Sequence, residues 1–521
     1  MTEISFPETT TSLTGAVVNV SNEPQRILVA SQKTAAGTAV SGALNTNIQA
    51  DADTLAGITS MGAAVVRGIR RANTDTAVDS IFLDDATGTA ATGTIVYAGT
   101  ATAAGELTAI TGSQRNNKLS IAVAVGDTAT VIGDALVAAI IANLRAPVTG
   151  INTAGSVALT AENDGTEGNG IHLEVGDTVA GITQTVTAMT GGATDPTLTG
   201  IFDVIGDTRY QAIVWSWSNS LAELVTLVDD RFNVTDDILD ALGHVAASDT
   251  LSNHLIVAGA QNTFINYHAP KLISTATIKG NDRGELPYVL AGYAGALRSV
   301  KLTVGASIAD LNVGESGLDG IGGPALASRP LANTPVNALL PSVQGIGWTR
   351  LEIKQLRDAG MSVMGNNKAG NKVVLGQQMT LRTTDSAGNP DNSFKFVSFF
   401  DTSTGIREFY DSNLRSEYAQ SRLTGGDVVA GRPMVNQILF EAKLTELFTI
   451  LSEAGFVLTQ AGQLALNFFI ANMVVTVNLQ TGTITWSVKT PINVQLRNIN
   501  GVIEIVFDVV ESSGVTETEE A

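Results

Sequence analysis

From Ala86 to Gly200 the chain is built mostly of Thr, Ala and Gly and holds a single aromatic residue, Tyr97. It opens with "GTAATGTIVYAGTATAAG" at 88–105, directly after "AVDSIFLDD", which reads as a buried strand ending at a loop. Short alternating runs follow: "TIVYAG", "GELTAIT", "KLSIAVAV", "SVALTA", "IHLEV" and "ITQTVTAM", each bounded by Gly, Asn or Asp. Runs of that kind are strands. One helix is expected among them, over 128–145, starting at Asp127 or Thr128, with Val131, Ile132, Ala135, Leu136, Ala139 and Ile140 on its apolar side. The stretch is therefore a small α+β unit with its own core.

On either side the texture is different. "QRILVASQ" and "MGAAVVRGIRRAN" begin a strand-helix-strand rhythm, which "YQAIVWSW" (210–217), "LAELVTLVDDRF" (221–232) and "ALGHVAAS" (241–248) resume. The Thr/Ala/Gly stretch is most economically an insertion into an α/β domain, joined at loops, where insertions cost little. Beyond residue 310 comes a Gly/Pro-rich connection, "GESGLDGIGGPALASRPLANTP" (314–335). It is followed by a helix at "WTRLEIKQLRDAG", a strand at 376–384, apolar "FKFVSFF" (394–400) and two helices near 402–423 and 434–454. The second of these carries Val435, Ile438, Leu439, Ala442, Leu447, Phe448 and Leu451 on one face, with Gly455 as C-cap.

Near the C-terminus, "MVVTVNL" (473–479) and "TITWSV" (483–488) alternate on either side of the turn "QTG". Met473, Val475, Val477 and Leu479 share one face with Ile484, Trp486 and Val488, which predicts a hairpin. "VIEIVFDVV" (502–510) alternates again, with Ile503, Ile505, Phe507 and Val509 on one side, and "AVVNV" (16–20) is a short strand behind a polar leader. A strand as apolar as 502–510 is an aggregation hazard unless a sheet receives it. Patterning alone leaves open whether that sheet belongs to the same subunit.

Composition narrows the function classes. The 521 residues are 44% hydrophobic and only 15% charged, which excludes wholesale disorder. A net charge of −20 argues against a nucleic-acid partner. With no cysteine there are no disulfides or thiolate sites. "MTEISFPETT" has neither a basic n-region nor an apolar h-region, so no secretory signal is expected, and no membrane insertion.

Catalytic, cofactor and metal motifs are not found. His172, His244, His254 and His268 lack metal-site spacing. "GNNKAGNK" (365–372) has Asn371 where a phosphate loop needs Lys, and reads as a loop. "GLDGIGG" (317–323) sits in the Pro-rich connection rather than at a strand-to-helix turn. "NDGTEGNG" (163–170) lacks the closing Glu of a calcium loop and reads as a turn. The sequons at Asn19 and Asn233 carry no meaning without secretion. No enzyme activity and no cofactor are expected.

"ISF" (4–6), "LTGAVVNVSN" and "QRILVASQ" resemble the opening of tail sheath proteins of contractile-tailed phages, of the Mu-like type. The run 60–107, "VAVGDTATVIGDALVAAI", "GGATDPTLTGIFDVIGDTRYQAIVWSW" and "LTELFTILSEAGFV" are similar to the same family in the same order. Thr14-Gly15-Ala16-Val17 stands where many relatives have Pro-Gly before a strand. The resemblance implies a multidomain α/β and α+β fold: an N-terminal arm (1–25), an α/β core (26–85 and 201–345) and an inserted α+β domain on the outer surface (86–200). A C-terminal domain facing a tail tube (346–490) and a C-terminal arm with an acidic tail (491–521) would follow.

It further implies stacked hexameric rings around a tail tube, capped by baseplate and terminator proteins, assembled in the host cytoplasm into a virion tail. Contraction of the rings would drive the tube through the host envelope. The terminal arms would donate strands to neighbouring subunits through Val17, Val18, Val20, Ile503, Ile505, Phe507 and Val509. The hairpin, with Val475, Val477, Ile484 and Trp486, would receive them, and Glu441, Lys443 and Glu446 would face the tube. Two rivals share part of the pattern: an extracellular self-assembling S-layer or adhesin-like protein, and an α/β enzyme.

Overall fold

A computed structural model of the chain describes residues 25–491, apart from 49–50, 74–75, 86–87, 233–237, 304–330, 333, 342–345, 430, 454–455 and 458–462. The strand-donor residues Val17, Val18, Val20, Ile503, Ile505, Phe507 and Val509 lie outside the described residues, as do both sequons, 317–323 and Gly455.

The α/β rhythm forms a six-stranded sheet. Its strands are β1 (Arg26–Gln32), β2 (Leu44–Asn45), β3 (Ala77–Leu83), β11 (Ala212–Trp215), β12 (Leu242–Ala246) and β13 (Ile265–His268), in the order β13-β12-β11-β1-β3-β2. All pairs are parallel except β2 with β3. Parallel strands covered on both faces need unbroken apolar runs, and β1, β11, β12 and β13 are buried almost throughout. Helices α1 (Ala52–Ala56) and α2 (Met61–Ala72) cross from β1 to β3. α2 starts at Ser60, whose hydroxyl accepts from Ala63 N. α6 (Pro287–Thr303) packs beside α2, where a Cβ on Gly68 would come within 2.8 Å of Val289 Cγ1. α4 (Ala222–Phe232) covers the opposite face, with Leu224 against Gly243 of β12. α5 (Leu251–Ala260) connects β12 to β13.

The Thr/Ala/Gly stretch forms β4 (Ala90–Gly99), β5 (Gly105–Thr111), β6 (Lys118–Val123), α3 (Ala129–Ala142), β7 (Val148–Thr153), β8 (Ser156–Asp164), β9 (Leu173–Gly176) and β10 (Ile182–Thr190). One sheet has the order β10-β4-β8-β7. The second, β14-β15-β9-β5-β6, is completed by β14 (Leu272–Ser274) and β15 (Ile278–Asn281), which come from the later α/β segment. The unit's buried residues, Tyr97, Leu107, Leu136, Leu159 and Leu173 among them, belong to the same apolar cluster as the six-stranded sheet. α3 buries Ile132, Leu136 and Ile140, but Val131 is half exposed.

The C-terminal part departs from expectation in three places. The expected strand 376–384 is an irregular extended segment with only two isolated bridges, Met379 to Phe396 and Thr384 to Pro390. A short hairpin precedes it instead, β16 (Met364–Asn366) with β17 (Val373–Leu375), after helix α7 (Arg350–Asp358). "GNNKAGNK" is that hairpin's turn: Asn367 Oδ1 accepts from Asn371 N and Lys372 N. "FKFVSFF" runs into the N-terminus of a long helix, α8 (Val397–Tyr418). Strands β18 (Arg422–Leu423) and β19 (Met434–Val435) lead to α9 (Gln437–Glu453), then α10 (Gln463–Ala471) and the hairpin β20 (Val474–Asn478) with β21 (Thr483–Ser487). In α9 the buried face is Phe440, Leu444, Leu447, Phe448 and Leu451, while Ile438, Leu439 and Ala442 are exposed. Phe440 and Leu444, outside the expected set, join Leu447, Phe448 and Leu451 on the buried side.

Candidate assembly site

The C-terminal hairpin stands on a helix that two cores share. Val397 and Phe400 of α8 lie in the α/β cluster, whereas Ile406, Phe409, Tyr410, Leu414 and Tyr418 lie in a second cluster with α9, α10 and the hairpin. Two buried ion pairs lock the helix to the α/β core. Arg298 of α6 bonds Asp401 through Nε at 2.9 Å. Arg407 Nη1 reaches both carboxylate oxygens of Asp240 at 2.8 and 2.9 Å, and Thr404 Oγ1 donates to Asp240 Oδ2 at 2.6 Å. Burial pushes both carboxyls up, and the facing guanidiniums oppose it.

The hairpin brings the expected apolar faces together, with Val475 opposing Trp486 and Val477 opposing Ile484, while Leu479 falls in the loop and is exposed. Its loop is fixed by Asn478 Oδ1, which accepts from Gln480 N and Thr481 N, and by Gly482 at φ +70°. Val475, Ile484 and Trp486 are buried against α8 to α10, with the Trp486 ring 5.7 Å from Tyr410 and Phe469 stacked on Phe448 at 4.3 Å. Val477 is half-buried. The outer face carries Val474, Thr476 and Thr485, all exposed. Among the described residues no third strand extends this sheet. A two-stranded sheet is marginal by itself.

Of the other site residues, Glu441 accepts from Gln437 at 2.8 Å. Lys443 lies 3.2 Å from both Glu446 on its own helix and Glu417 on α8. It thus ties α9 to α8: burial would push its ammonium down, but bonds to Glu446 and Glu417 outweigh that and hold it up.

The α/β sheet has a second place where function commonly resides. Strand order reverses between β1 and β11, and in open α/β sheets ligands bind outside the strand ends at that reversal, against a helix N-terminus. Here the inserted unit fills it. Asn163 Oδ1 accepts from Met61 N at the start of α2 (2.7 Å), and Asn163 Nδ2 donates to Lys33 O. Gln32, at the end of β1, donates to Asp164 O and accepts from Trp217. Glu167 Oε1 accepts from Ser218 N and Oγ at 2.6 and 2.8 Å. "NDGTEGNG" is therefore a plug rather than a hairpin turn. Sequence reasoning missed this contact because no local pattern announces a partner in the other domain.

The histidines are structural. His244 Nδ1 and His268 Nε2 share Asn266 Oδ1 at 3.2 and 2.7 Å, and Asn266 Nδ2 donates to Ser362 and Met379 O. Burial lowers all of the three core histidines, His268 to about 3, so they stay neutral. His254 Nε2 meets Pro270 O at 3.3 Å, and His172 pairs with Glu174 at 3.0 Å. No group of residues suited to holding a metal occurs among the described residues.

No protein-family model matches the chain. No curated protein matches it either. Among solved structures, the chain is similar in fold to the sheath tail protein Lin1278 from Listeria innocua, at 12% identity and a TM-score of 0.36, over 91% of this chain and 96% of that one. It is also similar to the helical sheath of the anti-feeding prophage in its contracted state, at 11% identity and a TM-score of 0.41, over 97% of this chain and 99% of that one. At these scores neither likeness carries a function to this chain.

Proposed function

We propose that the chain is the structural subunit of a contractile phage tail sheath, of the Mu-like type that its sequence resembles. In this reading subunits polymerise as stacked hexameric rings around a tail tube, between baseplate and terminator proteins, in the host cytoplasm. Contraction in the virion tail then drives the tube through the host envelope. The observation that carries the reading is the C-terminal hairpin. Its inner face is anchored by Val475, Ile484 and Trp486, and its sheet stops at two strands among the described residues. A sheet of that size gains from accepting a strand. The alternating segments 16–20 and 502–510 supply one each. The ion pairs that hold α8 to the core would pass force from a neighbour's strand into the α/β domain. Against the enzyme reading stands the inserted unit, which occupies the crevice at the strand-order reversal.

Truncation after Asn498 tests this. The α/β domain and the second cluster lie before that point, so circular dichroism should report a folded protein. Sedimentation and negative-stain microscopy should show no tubes. Normal tubes from the truncated chain would remove strand exchange from the reading. Unfolded monomers would show that 502–510 belongs to its own subunit.

A further inference from the structure

We propose that two reciprocal carboxyl latches, Glu167 on Ser218 and Glu285 on Ser113, fasten the inserted unit to the α/β core and loosen together as pH rises. The first latch reaches from the insert to the core: Glu167 sits on the turn Thr166–Gly170, and Ser218 follows β11. The second reaches the other way. Glu285 precedes α6; its Oε2 accepts from Ser113 Oγ of the insert at 2.8 Å, and its Oε1 accepts from Leu286 N at 3.0 Å. A backbone bond crosses the seam beside it, from Gln114 N to Gly284 O at 2.8 Å. Asn116 Nδ2 also donates to Ser113 Oγ, at 3.3 Å. Because a serine hydroxyl both donates and accepts, each contact survives protonation of its carboxyl.

Both glutamates are buried, and burial pushes each up to about 7. For Glu167 the bonds from Ser218 oppose that rise and Asp195 adds to it, while Tyr267 and Tyr288 lie close by. For Glu285 the bonds from Leu286 N and Ser113 and the charge of Arg71 oppose it, with Tyr288 and Tyr293 facing the group. A cavity of about 20 Å³, room for one water, lies along the seam between Glu285 and the guanidiniums of Arg67, Arg71 and Arg145. Asp53 pairs with Arg67 and Arg145, and Glu162 bonds Thr59 at the same seam. His172 and Glu174 form the remaining titratable contact there, and His172 Nδ1 accepts from Asn281 N at 3.3 Å.

When the seam opens, water reaches both carboxyls and each returns to its ordinary value near 4.5. The closed seam therefore holds protons that the open seam releases. Each glutamate eases opening by up to about tenfold per pH unit between about pH 4.5 and 7, and the effect levels off above 7. Two latches acting together give up to about a hundredfold per unit. The reciprocal arrangement means that neither side can lift while the other remains protonated and bonded.

Hydrogen exchange on the full-length protein tests the proposal, read at the amides of Gln114 and Ser218 and corrected for the intrinsic chemical rate. From pH 5 to 7 the opening constant should rise by at least tenfold per unit and then plateau. Glu167→Gln with Glu285→Gln should flatten the curve. A flat wild-type profile would overturn the proposal even if the double variant failed to fold. An unchanged slope in a folded double variant would overturn it too.

Discussion

The six-stranded sheet and the C-terminal hairpin hang on the same helix but are finished to different degrees. The sheet has parallel neighbours for β1, β11 and β12 on both sides, helices on both faces and its strand-reversal crevice filled by the inserted unit. The hairpin has one packed face and, among the described residues, only two strands. Along α8 the contact chemistry changes as well. Asp401 and Arg407 are locked by charge into the core, whereas Phe409, Tyr410 and Leu414 meet the hairpin's side through apolar contact. The core end is built to stay put, and the hairpin end is fixed only from below.

The sharpest way to break this contrast is at the core end. Arg407→Ala leaves Asp240 buried without its guanidinium, and breaking a buried pair costs about 3–5 kcal/mol. Urea melts should show the whole protein destabilised, with the buried Trp215 and Trp217 reporting the same transition as Trp486. Ile484→Ala acts at the other end. The residue is buried, and the change should cost about 2–3 kcal/mol, toward the low end for such truncations, because a two-stranded sheet can settle into the gap. Here the transition followed through Trp486 should move to lower urea, while that of Trp215 and Trp217 stays in place. Coincident shifts would show that the two clusters unfold as one.

Acid separates the regions by sign. His244, His254 and His268 are held neutral in the core, so below about pH 6.5 the unfolded chain binds protons that the native state refuses. His244 and His268, held well down, each then remove up to about 1.4 kcal/mol of stability per pH unit, and His254 adds a loss of the same sign. Glu167 and Glu285 keep their protons in the native state up to about pH 7, so they add stability as pH falls toward 4.5. From pH 6.5 to 4.5 the two glutamates oppose His244 and His268 two against two, which leaves the loss from His254, and below 4.5 the slope steepens as the glutamates cease to oppose. Urea melts at pH 7, 5.5 and 4 should trace the change of slope, and His268→Asn should shallow it.

Much of the architecture was legible because its signals are local. The unbroken apolar runs at 26–32 and 212–215 and the Thr128 cap of α3 need only their own neighbourhood to be read. The hairpin's shared apolar face followed from the alternation of Val475, Val477, Ile484 and Trp486 across one turn. What escaped is long-range. Asp240 meets Arg407 at a separation of 167 residues, and Glu167 meets Ser218 from another structural unit. "FKFVSFF" shows the limit of periodicity: a short apolar run fits a strand or a buried helix turn, and here Phe400 packs on Phe232 and Phe264 as part of α8. Residues 272–281 escaped for a similar reason. Their pairing with β9 joins them to the inserted unit's sheet, so the segment 86–200 expressed alone lacks two strands of its own fold.

The smallest effect on stability should sit on the hairpin's outer face, and it bears most directly on assembly. Val474 on β20 and Thr485 on β21 are exposed, so replacing either by Asp should change monomer stability by less than about 0.5 kcal/mol. If a neighbour's strand lies along one edge, the residue on that edge strand gains a cross-strand partner, and such pairs contribute about 0.2–1 kcal/mol. One of the two variants should therefore raise the critical concentration for polymerisation a few-fold, and the other should leave it alone. Which one does so identifies the accepting edge, because β20 and β21 bound opposite sides of a two-stranded sheet. Sedimentation across a concentration series reads the difference, with thermal melts confirming equal folding. Two variants that polymerise like the wild type would mean that neither edge of the hairpin receives a strand. Subunit contacts would then have to be sought on the exposed Ile438 and Leu439 of α9 instead.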